Sequence, residues 1–184
     1  MEQGITPPQL LPRSLDRRLF EAVNGLPHSS QSDRYISLVS DLGEGMGWVA
    51  AGIGIAWLGG RRGRRAGIAT ALASLGTTYV VQRMVKPIFR RRRPFVAREV
   101  MVVGIRTGDA SFPSGHTASS FAAAMTLATF YPNATPLVFT LAALVGASRV
   151  HLGHHFPSDV TAGALIGIGM GTVTAWILKL PRFL

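Results

Sequence analysis

Apolar residues run almost unbroken from about Gly45 to Gly60, Ala66 to Val85, Thr117 to Tyr131, Thr135 to Val150 and Val160 to Leu178, with the charges gathered between the runs. Only the second and last approach the ~20 residues that a bilayer-spanning helix needs. The others become long enough if their polar ends continue the helix into the headgroup layer. This pattern predicts an all-α integral-membrane helical bundle of five transmembrane helices. A soluble all-helical protein with very apolar core helices is the alternative, and the last run speaks against it. There Gly163, Gly167 and Gly171 recur every four residues, a row that weakens a helix in water but lets backbones approach closely in lipid. Ala143 and Ala147 are expected to serve the neighbouring helix in the same way.

The polar stretches set the connections. Residues 1–13 are proline-rich and expected to be flexible, with 14–184 forming a single membrane-embedded domain. From Ser14, a suitable cap, Leu15, Leu19 and Val23 lie opposite Arg17, Arg18 and Glu21, which predicts an amphipathic interfacial helix. Gly25 to Ser32 reads as a break. Asp33 to Leu42 reads as a helix leading into the first span, which ends at Gly59-Gly60. Arg61, Arg62, Arg64 and Arg65 are expected to form a tight turn between the first two spans, and the positive-inside tendency puts that turn in the cytoplasm. Counting spans from there carries Lys86, His116, Arg149, His155 and Asp159 to the opposite, extracytoplasmic face of a multi-pass inner-membrane protein. The basic run Arg90 to Arg93 pulls against that orientation unless its charge has a task of its own.

Composition narrows the partners. Hydrophobic residues make up 47% of the 184, charged ones only 15%, and there are 21 glycines, a balance unusual for a soluble domain. The net charge of +10 comes from clusters between apolar runs, without a long basic tail or interleaved aromatics, so nucleic acid is not an expected partner. Anionic headgroups and phosphate substrates suit it better. With no cysteine, disulfide and thiolate chemistry are excluded. Residues 1–13 lack the charged start and apolar core of a cleavable signal. Oligomeric state is not readable, since the glycine face fits a helix of this chain or of a partner equally well.

Charge at the ends of apolar segments is expensive and marks function. Three fixed cations, Lys86, Arg93 and Arg149, stand there with two imidazoles, His116 and His155, and with Asp159, which is the only acidic residue beyond position 110. Phosphoryl transfer depends mainly on positioning and on neutralising non-bridging oxygens. Arg93 and Arg149 suit forked grips on two oxygens and Lys86 a third point charge. Lys86 and Arg93 share a helix face only if the helix runs on through Pro87. Pro113-Ser114-Gly115-His116 immediately precedes an apolar helix, so the amides of Gly115 and His116 are helix-start donors for an anion. Ser114 can cap that helix or donate to phosphate, and Gly115 admits close backbone approach. His116 falls where it can reach a leaving oxygen. Pro157 suits the first turn of the last helix and places Asp159 to hold one nitrogen of His155, leaving the other as a nucleophile.

Plainer readings apply elsewhere. His151 and His154 are read as capping or interfacial groups, and Arg90 to Arg92 as headgroup anchors. Asp159 alone could be a helix-start carboxylate. Ser114 lacks a nucleophile elbow, and His154 and His155 lack the spacing of a zinc hydrolase motif. No nucleotide loop of the Gly-Lys-Ser/Thr kind is present. Neither a metal nor a cofactor is expected to be required.

Lys86, six residues and Arg93-Pro94; Pro113-Ser114-Gly115-His116; and Ser148-Arg149, five residues, His155, three residues and Asp159 together resemble the tripartite signature of the type-2 phosphatidic acid phosphatase family. The resemblance spans residues 86 to 159 and implies a helical membrane bundle working as a metal-independent lipid-phosphate phosphatase through a phosphohistidine. By motif position, His155 attacks phosphorus, Asp159 orients and stabilises it, and His116 protonates the leaving group and later deprotonates water. Lys86, Arg93, Ser114, Gly115 and Arg149 hold the phosphoryl oxygens. Many members have six spans, whereas five are clear here. A polyprenyl diphosphate is the first choice of substrate by analogy with small bacterial relatives. Phosphatidic acid, phosphatidylglycerol phosphate and a polyprenyl-phosphate sugar phosphate follow, with Phe95 to Ser111 shaping the choice. A vanadate-dependent haloperoxidase shares this site architecture but is soluble. A non-catalytic binder or transporter of anionic lipids would need the arginines but not His116, His155 or Asp159.

Overall fold

The computed structural model describes residues 14–97 and 100–179. The expected flexible segment 1–13 lies outside them. Every regular element among the described residues is helical.

Helix α1, Leu15–Asn24, starts where expected, with the Ser14 side chain accepting from the Arg17 amide. It leaves Leu15 and Leu19 exposed and buries Phe20, whose ring meets Phe156 at 5.3 Å. Helix α2, Ser30–Leu42, begins three residues before Asp33 because Ser29 and Ser32 cap it reciprocally. It does not run into the first apolar helix. Gly43, Glu44 and Gly45, the last at φ +92°, break the chain and turn it into α3, Met46–Leu58.

The arginine cluster is not a turn. Gly59 and Gly60 alone reverse the chain, Gly60 at φ +59°, and the four arginines occupy the opening turns of α4, Gly60–Val80. Arginine is a good helix former, whereas a positive φ asks for glycine. Cations at a helix start oppose its dipole, and Arg62 answers this by donating to the Phe130 carbonyl and lying 4.7 Å from the Tyr131 ring.

After Val80 the helix widens into a π turn, Val81–Val85, and resumes as α5, Lys86–Phe89. Pro87 has no N–H to return to Arg83, and the looser turn absorbs that loss. Arg90 then ends it in the left-handed region at φ 40°. Lys86 and Arg93 therefore do not share a helix face. A short α6 spans Pro94–Ala97, and from residue 100 a stretch without regular structure leads to α7, Gly115–Phe130. A single 3-10 turn, Pro132–Ala134, links α7 to α8, Thr135–His151, and α9, Pro157–Lys179, closes the described chain.

Helix α7 is the central post, packed against α9, α4 and α8. The glycine row of α9 explains its closest contact: a Cβ on Gly163, Gly167 or Gly171 would stand 2.6, 2.3 or 2.5 Å from the carbonyl oxygens of Ser114, Ala118 and Ala122 on α7. On α8 the small residues that meet a neighbour are Ala142 and Gly146, one position before the expected pair, while Ala143 and Ala147 face outward. A Cβ on Gly146 would stand 2.9 Å from Val160, so the true seam follows the residue with no side chain.

The bundle buries hydroxyl residues and leaves large apolar ones exposed. Thr70, Ser74, Thr77, Ser119, Ser120 and Thr126 are buried, while Ile53, Trp57, Leu58, Leu72, Leu137, Leu165 and Trp176 are exposed. That distribution suits a hydrocarbon surround, where helices associate through small and hydroxyl residues. Two helices, Pro132–His151 and Pro157–Lys179, are by themselves long and apolar enough to cross a membrane.

Candidate active site

The carboxy-terminal ends of α4–α5 and α8 and the amino-terminal ends of α3, α7 and α9 meet at one end of the bundle, around a cavity of about 310 Å³. Its walls include Lys86, Arg93, Gly115, His116, Arg149 and His155, together with Gly43, Glu44, Gln82, Thr107 and Asp109. Six of the eight residues picked from the sequence thus face one space. The other two lie directly behind it. Ser114 caps α7, its Oγ receiving the Thr117 hydroxyl at 2.9 Å, and its amide donates to the Asp159 carbonyl at 3.0 Å. Its side chain is therefore committed to the helix start.

Asp159 is fully buried, behind His155, which is only 1% exposed. One carboxylate oxygen of Asp159 accepts from the Phe156 amide at 2.8 Å and from the Ser111 hydroxyl. The other accepts from Arg91 at 2.7 Å. His155 Nδ1 faces the same carboxylate at 3.7 Å, longer than a hydrogen bond. On the opposite edge of the ring, Nε2 lies 3.4 Å from the Arg93 guanidinium, which can only donate. A proton on Nδ1 and a lone pair on Nε2 satisfy both sides. Burial, together with Arg93 and Arg149, outweighs the Asp159 carboxylate and holds the His155 imidazole down to about 4. The ring is neutral at neutral pH, as a nitrogen nucleophile must be.

His116 occupies the first turn of α7 and lines the same cavity. Arg149 is fixed by donating to Ser40 Oγ at 2.6 Å, so α2 takes part in holding a site cation. His154, read from the sequence as a capping or interfacial group, bonds the Val103 carbonyl at 2.8 Å and offers its own carbonyl to Arg93 at 3.1 Å. It anchors the 100–111 segment over the site.

Two residues escaped the sequence reading. Arg91 is no headgroup anchor: besides Asp159 it grips Asp16 at 2.6 Å and Ser158 at 2.7 Å, and it lies 4.3 Å from the Phe156 ring. It fastens α1 and the start of α9 to the back of the His155–Asp159 pair. A run of four arginines gives no signal as to which one points inward.

The other is Asp109, whose carboxylate pairs with Lys86 and with Arg93 at 2.7 Å. These two cations are nearly buried, whereas Asp109 is partly open to the cavity. Burial alone would raise the Asp109 pKa, but Lys86, Thr107 and Arg93 together hold it well below the usual carboxylate range. It stays charged throughout the physiological range, so an anion approaching Lys86 and Arg93 would meet a carboxylate already paired with both. A tethered competitor of this kind weakens binding without touching the chemical step. Asp109→Asn is expected to lower KM by about tenfold while kcat changes little. A fall in kcat with KM unmoved would instead make Asp109 a support for the two cations. Its position two residues before Ser111, beside the phosphate motif, was the available clue.

A family model described as the PAP2 superfamily matches residues 67–182, and the chain belongs to that family of phosphatases. Among curated proteins it is 30% identical to the undecaprenyl-diphosphatase BcrC of Bacillus subtilis, over 85% of this chain and 81% of that one. It is 28% identical to the putative undecaprenyl-diphosphatase YbjG of Escherichia coli, over 90% of this chain and 83% of the other. A decaprenylphosphoryl-5-phosphoribose phosphatase of Mycobacterium tuberculosis is 34% identical over 49% of each chain. Among solved structures, Aquifex aeolicus LpxE superposes with a TM-score of 0.71 at 27% identity, covering 89% of this chain and 96% of that one. The transmembrane PAP2-type phosphatidylglycerolphosphate phosphatase of Bacillus subtilis superposes at 0.69 with 22% identity, over 92% and 87%, and this likeness bears on the fold alone. The chain is thus an all-helical lipid-phosphatase relative with a membrane-phosphatase fold.

Proposed function

We propose that the protein removes the terminal phosphate of a polyprenyl diphosphate held in the membrane, through a phosphohistidine on His155. The arrangement that carries this reading is the neutral imidazole of His155 backed by Asp159, with Nε2 turned toward Arg93 at the wall of a cationic cavity. A non-catalytic binder has no use for a buried nucleophile paired with a buried carboxylate. The diphosphate is favoured because the relatives matched over most of their length carry undecaprenyl-diphosphatase names.

In the first step Nε2 of His155 forms a bond to the terminal phosphorus while the bridging P–O bond breaks. Lys86, Arg93 and Arg149, with the amides at the start of α7, neutralise the phosphoryl oxygens. His116 gives a proton to the departing phosphate oxygen. Water then attacks phosphorus, His116 takes its proton, the P–N bond breaks, and inorganic phosphate leaves. Asp159 keeps the His155 proton on Nδ1 and balances the charge on the ring.

Helices α3, α4, α7, α8 and α9 are assigned as five crossings. The basic start of α4 marks the cytoplasmic end and the cavity lies at the extracytoplasmic end of an inner-membrane protein. The isoprenoid tail stays in the bilayer while water reaches the cavity from that face.

Phosphate release from purified protein in detergent tests the reading, with a polyprenyl diphosphate, phosphatidic acid, phosphatidylglycerol phosphate and a polyprenyl-phosphate sugar phosphate offered in turn. Fastest turnover on the diphosphate, undiminished in chelator, is expected. Preference for another arm reassigns the substrate, and loss of all turnover in chelator would overturn the histidine mechanism.

A further inference from the structure

Away from the cavity, where α1, α2 and the end of α8 meet, a second cluster of chemically capable side chains stands outside the phosphatase machinery. His28 Nδ1 lies 2.9 Å from Asp33 Oδ1, and His151 Nε2 lies 3.6 Å from the same oxygen. All three ligand-type atoms fall within 4.8 Å of one another. The side chains retain only 11%, 15% and 10% of their exposure for His28, Asp33 and His151.

We propose that His28, Asp33 and His151 form a binding site for a zinc-type divalent cation that clamps the α1–α2 corner to the end of α8. Three observations converge on it. Each imidazole has its other nitrogen on a backbone carbonyl, His28 Nε2 on Asn24 at 3.0 Å and His151 Nδ1 on Val23 at 3.3 Å. That outer contact is how ligating histidines are oriented, since it fixes the tautomer and turns the opposite lone pair toward the metal. Next, both nitrogens of His28 face acceptors, which a neutral ring cannot satisfy with its single proton. Either a second proton on the ring or a metal ion between His28 and Asp33 resolves that conflict, and the zinc titration below distinguishes them. Finally, His151 Nε2 is buried without a hydrogen-bond partner among the described residues, and it points into the same space.

Two imidazoles and one carboxylate are borderline ligands suited to zinc or a similar first-row ion, with a fourth position left for water. Zinc bonds of about 2.0–2.1 Å set tetrahedral ligand atoms about 3.3 Å apart, and the contacts to Asp33 straddle that figure at 2.9 and 3.6 Å. The two rings now stack at 4.2 Å and 16°, so closing on an ion requires one to swing out of the stack while keeping its carbonyl contact. The clamp is positional rather than hydrolytic, because none of its three residues lines the phosphate cavity. It holds the corner beside the site, and turnover does not require the ion. His151 lies two residues after Arg149, and Asn24 ties the His151 and Met101 carbonyls together at 2.8 and 2.9 Å.

Zinc titration of the chelator-stripped full chain in detergent, against a chromophoric indicator, tests the clamp. One equivalent is expected to bind at micromolar or tighter affinity, equally in wild type and in His155→Ala. His28→Gln and Asp33→Asn should each weaken it by about tenfold or more. Absence of competitive binding in wild type, undiminished affinity in both variants, or loss in His155→Ala, which would put the ion in the phosphate cavity, would overturn the proposal. Should a variant fail to fold, the unaltered chain decides: zinc should protect His28 and His151 from acylation by diethyl pyrocarbonate, read peptide by peptide, and equal modification with and without zinc would sink the site.

Discussion

His155→Ala is expected to cut phosphate release by about ten-thousand-fold or more, because it deletes the group on which a covalent intermediate forms. The cationic cavity survives the change: Lys86, Arg93 and Arg149 are held by Asp109, the His154 carbonyl and Ser40 rather than by the imidazole. Substrate affinity should therefore fall much less than turnover. Besides leaving a cavity where a buried ring stood, the change gives up a 3.4 Å approach to Arg93 and a 3.7 Å one to Asp159. Rapid quenching of wild type with labelled substrate should yield an acid-labile phosphate on residue 155, absent from the variant. Label on any other side chain, or turnover that persists at a tenth of the wild-type rate or above, would refute the assignment.

His116→Ala carries the second large effect, and its size should depend on the substrate. General acid catalysis contributes about 100- to 10,000-fold, and more where the leaving oxygen is strongly basic. A lipid alkoxide leaves poorly without a proton, an inorganic or lipid phosphate less so, and an activated aryl phosphate scarcely needs help. The loss should therefore be steepest on phosphatidic acid, smaller on a diphosphate and smallest on an aryl phosphate. Equal losses on all three would show that His116 holds phosphate rather than moving a proton. His116 stands in the first turn of α7 on the cavity wall, beside Lys86, Arg93 and Arg149, so the substrate dependence of the loss separates the two roles.

Much of this molecule could be read from its residues. The apolar runs located α3, α4, α7, α8 and α9, because an uninterrupted apolar stretch has few ways to hide its backbone other than a helix. The glycine row foretold the tight α9 contact, and the spacing of three short motifs named the residues around the cavity. Local chemistry accounts for these successes: caps, helix starts and side-chain types act over a few residues.

Two local readings failed, the arginine turn that became the start of α4 and the late start given to α2; the other failures depended on packing between distant segments. Which arginine of the run Arg90 to Arg93 turns inward is decided by Asp16 and Asp159, separated from Arg91 by 75 and 68 residues. The small-residue seam of α8 shifted by one position because Val160 of α9 meets Gly146. The sequence by itself determined the helices, the inventory of cations, imidazoles and carboxylates, and the family, since each follows from residue type and short spacing. Only the tertiary structure decided that Asp109 pairs with Lys86 and Arg93, that Arg91 backs Asp159, and that His28, Asp33 and His151 converge. Pairings of this kind depend on how helices far apart in sequence are packed, and no local pattern records the packing.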